Sequence, residues 1–215
     1  MEAIIFVDKP SGMSSFGAVA RVRRILSQQE GHKIKVGHTG TLDPFATGLL
    51  ILLAGKATKK APELTKKDKV YEATIRLGET STTGDPEGEI AKTNAKLPTS
   101  GEIKKVLEQF TGKIEQRPPA FSAIKINGQR AYKLARAGKD FEVPTRTVEI
   151  YELEMLSYNE PELKIRTHVS SGTYIRTLAE DIGKALGCGA YCSELRRTKI
   201  ADYDIAELPL FELPE

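Results

Sequence analysis

The apolar positions of this chain recur with two periods, one residue in two and one in three or four, and each period marks an element. Residues 3–7 (AIIFV) are an apolar run of strand length, and Ser14 or Ser15 then caps a helix whose stripe is Ala18, Val19, Val22, Ile25 and Leu26. The unbroken apolar run at 49–54 suits a buried strand. Residues 70–77 alternate, with Tyr71, Ala73, Ile75 and Leu77 on one face and Glu72, Thr74 and Arg76 on the other, so Tyr71 is expected on the buried side. Thr99 and Glu102 form a capping box ahead of Ile103, Val106, Leu107 and Phe110, the apolar face of a second helix. Between 117 and 140 the reading is a Pro-Pro break, a short strand at 121–126, an Asn127-Gly128 turn and a basic helical stretch ending near Gly138. Strands follow at 147–156 and 163–169. A helix over 173–186 carries Ile175, Leu178, Ile182 and Leu186 on its stripe and Arg176 in its first turn. This order predicts an α+β fold, a mixed and largely antiparallel sheet flanked by helices.

The 215 residues suffice for one domain with a full core, and no Ser/Gly-rich linker divides them, so a single domain over 1–215 is expected. The longest strongly apolar run is too short to cross a bilayer, there is no secretory signal, and Cys188 and Cys192 are the only cysteines; a reduced, cytoplasmic protein is expected. The pair lacks a second pair for a zinc site, and His32, His38 and His168 lack metalloprotease spacing, so no metal is expected. Leu50 stands where a phosphate-loop glycine would be required, and no GxSxG elbow or dinucleotide fingerprint occurs. The net charge of +3 is too small to indicate a nucleic-acid partner, but its distribution is uneven. Lys56, Lys59, Lys60, Lys66, Lys67 and Lys69 form one cluster, Lys125, Arg130, Lys133, Arg136 and Lys139 a second, and Arg196, Arg197 and Lys199 a third, ahead of an acidic tail. A single cluster of this kind is ordinarily a solvated face. Three beside a candidate catalytic carboxylate fit a surface that tracks phosphates, with the 117–140 element clasping RNA.

That carboxylate is Asp43, in the loop GHTGTLDPFATGLL at 37–50. Gly37 and Gly40 are expected to permit turns that a Cβ would obstruct, and Pro44 biases Asp43 toward extended backbone, so the loop would aim the side chain. Taken alone, an Asp-Pro pair beside glycines is also an ordinary turn. Joined by VDKPSGMSS at 7–15, KVYEATIRLG at 69–78 and SGTYIRTLAEDIG at 171–183, the loop resembles the TruB family of tRNA pseudouridine synthases; the motifs stand in the family's order and the likeness runs from about residue 4 to about residue 200.

The resemblance implies isomerisation of uridine 55 in the T-arm of tRNA, by an aspartate and without a cofactor, in a monomeric protein. It implies that Asp43 is the catalytic carboxylate, as nucleophile or as base, that Arg176 favours its charged form, and that Tyr71 stacks near the uracil and helps remove the proton from the newly bonded carbon. Leu195 would cover the base, His38 would contact the rearranged RNA loop, and Lys9 with Pro10 would support the catalytic loop. Lys125, Lys133 and Arg136 are the candidate phosphate contacts. The family's usual C-terminal PUA domain is not expected in this chain. The alternatives are a guide-RNA-dependent synthase of the Cbf5/dyskerin type, a non-catalytic tRNA-folding protein, and a soluble α+β metabolic enzyme.

Overall fold

A computed structural model describes residues 1–213 apart from 123, 127 and 140, and Lys125 by its backbone alone. In chain order its elements are β1 (Glu2–Lys9), α1 (Ser15–Gln29), β2 (Val36–His38), β3 (Thr47–Gly55), a 3-10 turn at Lys56–Lys60, α2 (Ala61–Thr65) and β4 (Lys69–Leu77). Next come β5 (Glu79–Ser81), β6 (Ile90–Lys92), α3 (Ser100–Gln109), β7 (Gly112–Gln116), β8 (Lys125–Ile126), β9 (Gln129–Arg130) and α4 (Ala131–Arg136). The remainder are β10 (Arg146–Asn159), β11 (Glu162–Val169), α5 (Ile175–Ala185), β12 (Ala190–Ile200) and β13 (Tyr203–Asp204). The contacts divide the chain into two compact units, one of Met1–Glu72 with the residues from Leu195 onward, the other Ala73–Glu194.

In the first unit β3 is the central strand. It pairs antiparallel with β1 along its whole length, from Glu2↔Gly55 to Lys9↔Gly48, and parallel with β12 at Thr47 and Gly48. The run at 49–54 is unbroken because both faces of β3 are covered. Leu50, Leu52 and Ala54 pack with Val7 and with Ala18, Val19, Val22 and Leu26 of α1, while Leu49, Ile51 and Leu53 pack with Ala57, Leu64 and Ile200. Helix α1 begins where its cap was expected: the Ser14 side chain accepts from the Gly17 N–H at 3.0 Å. Since β3 is locked on both edges and both faces, the loop that enters it at Thr47 has a fixed end.

In the second unit β10 pairs antiparallel with β11 and with β7, and the strands run in the order β4–β11–β10–β7. Strand β4 buries Ala73, Ile75 and Leu77 as read, with Thr74 of the other face buried as well, and the Thr99–Glu102 capping box opens α3. Helix α5 buries Ile175, Leu178, Ala179 and Ile182. The strand expected over 121–126 is corrected to the two-residue β8. Upstream of it, the Phe121 carbonyl accepts from Arg176 and the Ser122 carbonyl from the Tyr132 N–H, so that backbone bonds elsewhere and does not extend a ladder. The Asn127-Gly128 turn falls partly outside the described residues, at Asn127. Mixed pairing, mostly antiparallel, with helices packed on the strands, is the expected α+β architecture.

Candidate functional site

Within the first unit the Asp43 loop is fastened from two directions. On one side stands the motif that ends β1 and opens α1. The Lys9 ammonium, fully buried, donates to the carbonyls of Pro10 (2.9 Å), Met13 (2.7 Å) and Pro44 (3.1 Å). The Gly12 N–H reaches the same Pro44 carbonyl at 2.8 Å, and the Ser11 hydroxyl donates to the Phe45 carbonyl at 3.0 Å. Ser15, buried at the first turn of α1, donates to the Leu42 carbonyl at 2.9 Å and accepts the Leu42 N–H at 2.8 Å. Residues 42, 44 and 45 are thus tied down, with half-buried Asp43 between them. The Asp43 carbonyl accepts from the Ala46 N–H at 3.1 Å, so the Asp-Pro pair does open a turn, and that turn is braced.

The second fastening comes from β12. Arg197, 1 % exposed, donates through Nε to the Leu49 carbonyl (2.8 Å), through Nη2 to the Gly40 carbonyl (3.1 Å) and through Nη1 to the Thr41 carbonyl (3.5 Å). The glycine this geometry demands is Gly48, at φ +103°, where a Cβ would stand 2.3 Å from the Arg197 carbonyl oxygen. The expectation for Gly37 and Gly40 is corrected: a Cβ at Gly37 meets nothing within 4 Å, and one at Gly40 makes ordinary contacts with Arg197 and Lys69.

The third basic cluster is corrected in part, because its side chains are held by partners in the fold although Arg196 and Lys199 stay partly exposed. Arg197 is buried in the loop, Arg196 makes a two-pronged pair with Asp8 (3.0 and 2.7 Å), and Lys199 pairs with Asp204 at 2.7 Å. In the first cluster Lys69 is buried too, donating to the carbonyls of Thr65 (2.8 Å) and Lys67. Burial and the neighbouring Arg197 guanidinium push its ammonium down to about 8, against a smaller opposing influence from Asp68. His38, on β2, feels the same influences: burial first and Arg197 second hold its imidazole below the usual histidine range. Its buried Nδ1 has no hydrogen-bond partner among the described residues. Tyr71 on β4 and Leu195 on β12 are each 7 % exposed.

In the second unit Arg176, the second residue of α5, is 3 % exposed. Its Nη1 donates to the Thr83 carbonyl (2.9 Å) and to Asp85 Oδ2 (3.0 Å), and its Nη2 to the Phe121 carbonyl (2.9 Å). Asp85 went unread in the sequence, although its TGDPEG context repeats the Asp-Pro signal of Asp43. The second oxygen of Asp85 accepts from Thr83 Oγ1 (2.6 Å) and the Glu87 N–H (3.0 Å), so the pair is buried and hydrogen-bonded. The entry to α5 is held by buried Gln116, whose amide bonds both ways to the Tyr174 backbone at 3.0 and 2.7 Å. Burial, with Asp181 adding to it and Arg176 opposing, raises the Glu180 carboxyl above its usual range. Lys133 and Arg136 are exposed on α4, and the side chain of Lys125 lies outside the described residues.

The model of the TruB family pseudouridylate synthase N-terminal domain matches residues 23–175, and that of the tRNA pseudouridylate synthase B C-terminal domain matches residues 176–213. The chain belongs to the TruB family. TruB relatives named tRNA pseudouridine synthase B include that of Azoarcus sp. (strain BH72), 45 % identical over 215 residues, which covers all of this chain and 70 % of the relative. Another, from Francisella philomiragia, is 47 % identical over 207 residues, covering 95 % of this chain and 67 % of the relative. Among solved structures, a chain of a Cbf5-Nop10-Gar1 complex aligns with a TM-score of 0.72 at 33 % identity, over 94 % of this chain; the chain spans about half (49 %) of that one. A structure of an H/ACA RNP bound to a substrate RNA containing 2'-deoxyuridine aligns with a TM-score of 0.68 at 30 % identity, over 94 % of this chain and 48 % of that one. The TruB loop motif therefore sits in a TruB-type fold.

Proposed function

We propose that this chain is a stand-alone tRNA pseudouridine synthase that converts uridine 55 of the T-arm to pseudouridine, with Asp43 as the catalytic carboxylate. The observation that carries the reading is the double fastening of the Asp43 loop, by Lys9 and Ser15 on one side and Arg197 on the other, in a chain 45 % identical over its full length to a tRNA pseudouridine synthase B. The reaction breaks the bond from ribose C1' to uracil N1, turns the base, forms a C1'–C5 bond and releases the C5 proton. Nothing is oxidised and no water is added on balance, so a positioned carboxylate and a proton acceptor suffice. Asp43 acts on the sugar or base as nucleophile, or removes a ribose proton as base. In this proposal Tyr71 lies against the uracil and its oxygen assists the loss of the C5 proton, Leu195 covers the base, and Arg176 favours the charged form of Asp43.

The target nucleotide must leave its stack, at a cost of on the order of a few kcal/mol. His38, uncharged near neutral pH because burial and Arg197 lower its imidazole, is suited to replace some of that stacking in the rearranged loop. Lys133, Arg136 and Lys125 hold phosphates of the arm. The protein acts as a monomer in the cytoplasm. The test is release of tritium from C5-labelled uridine in an unmodified tRNA transcript by the purified chain. One equivalent per tRNA supports the proposal, and none despite tRNA binding opposes it. The likeness to Cbf5 chains gives a second reading, guide-dependent modification; turnover on tRNA alone rejects it.

A further inference from the structure

Arg197 is an unusual buried cation. Three backbone carbonyls, not a carboxylate, receive its guanidinium, and neither it nor Lys69 is ion-paired among the described residues. The two meet at Gly40: an ideal Cβ there would lie 3.6 Å from Arg197 Nη1 and 3.8 Å from Lys69 Cε. Burying a guanidinium without a counter-charge is costly, and an apolar side chain in its place would avoid that cost. What an apolar residue could not do is gather carbonyls from both limbs of one loop. Gly40 and Thr41 stand just before Asp43 and Leu49 follows the turn that closes it, so a planar, rigid fork of donors fixes the loop's width. The motif from Lys9 to Ser15 fixes the apex of the loop by separate bonds to residues 42, 44 and 45. The ladder of β2 with β3 and the Thr39 N–H to the Ile51 carbonyl (3.1 Å) close the base of the loop, so Arg197 braces the stretch between that base and the apex.

We infer that Arg197 is a positioning residue for the reaction: it touches no substrate, and it sets the placement of the Asp43 carboxylate by bracing both limbs of its loop. The inference rests on the reading of Asp43 as the catalytic group. A displacement of about 1 Å at such a group lowers turnover by roughly a hundredfold with little effect on binding. Lysine at 197 keeps the charge but has no planar fork, so it would recover only part of the bracing.

The experiment measures kcat and KM on tRNA for Arg197→Met, Arg197→Lys and Asp43→Asn, with Val22→Ala as a control that loosens the α1 packing of the same unit and removes none of the hydrogen bonds that brace residues 40–49. All are assayed at a temperature where circular dichroism shows them folded. The expected result is a fall in kcat of about 100-fold for Arg197→Met and about tenfold for Arg197→Lys, each with KM within about threefold of wild type, and an unchanged kcat for Val22→Ala. Should Arg197→Met not fold, the Arg197→Lys split decides. A folded Arg197 variant with wild-type kcat overturns the inference, as does a matching loss in Val22→Ala. Turnover retained by Asp43→Asn overturns instead the reading on which the inference stands.

Discussion

Removing Asp85 would take away a buried carboxylate that pairs with Arg176, itself 3 % exposed, at 3.0 Å, so Asp85→Ala is expected to destabilise the protein by about 3–5 kcal/mol. Urea unfolding measures this, and a change below about 1 kcal/mol would contradict the assignment. Neither Asp85 nor the buried state of Arg197 was legible in the sequence, for one physical reason. A charged side chain inside a fold looks the same in sequence as one in solvent, and only the carbonyls and carboxylates that the tertiary structure brings to it tell them apart. Lys69 was misread on the same ground, and it carries a pH signature. Its folded value of about 8 lies below the ordinary 10.5, so in its charged state it counts against the fold. Between about pH 8 and 10.5 the native state sheds this proton while the unfolded chain keeps it, so the group's contribution to stability rises with pH across that window. Unfolding free energies measured from pH 7 to 10 should climb more for wild type than for Lys69→Met; parallel profiles would contradict this.

Elements with one clear period were read well. Strand β1, helix α1 from its Ser14 cap, β3, β4 and the capping box of α3 stand where their apolar positions put them. Strand β12 was missed because its inward positions include Cys192, Leu195 and Arg197, and a charge among them hides the alternation. In sequence, Gly37 and Gly40 stand out by the turns that glycines usually make. The demand instead falls on Gly48, where β3 and β12 approach in parallel and the Cβ site is filled by a backbone oxygen of Arg197. Gly48→Ala is therefore expected to cost at least about 2 kcal/mol and to abolish turnover, whereas Gly37→Ala, with open space around its Cβ site, should stay within about 1 kcal/mol of wild type. Chemical denaturation of the two variants checks this, and the reverse order would contradict the described loop.

At the scale of the whole chain, the charge map is narrower than its lysine and arginine count suggests. Arg197 and Lys69 are buried and Arg196 and Lys199 are ion-paired, which leaves the exposed α4 face and the exposed Lys56, Lys59 and Lys66 as candidate RNA contacts. Lys133→Glu with Arg136→Glu is expected to weaken tRNA binding and flatten its salt dependence, with kcat at saturating tRNA within about threefold of wild type. A titration at two ionic strengths measures it, and unchanged affinity would remove the α4 face from the RNA contact. The fold class and the family were legible because they rest on local motifs in a fixed order. The bracing of the Asp43 loop was not, because it joins residues 9–15 and 197 to residues 40–49 through space. The most direct test is chemical mapping of pseudouridine in an unmodified tRNA transcript incubated with the purified protein alone, beside the Asp43→Asn variant. Pseudouridine at the T-loop uridine from wild type, with none from Asp43→Asn although that variant still binds tRNA, is the expected result; product from both proteins, or from neither, would contradict Asp43 as the carboxylate of a stand-alone synthase.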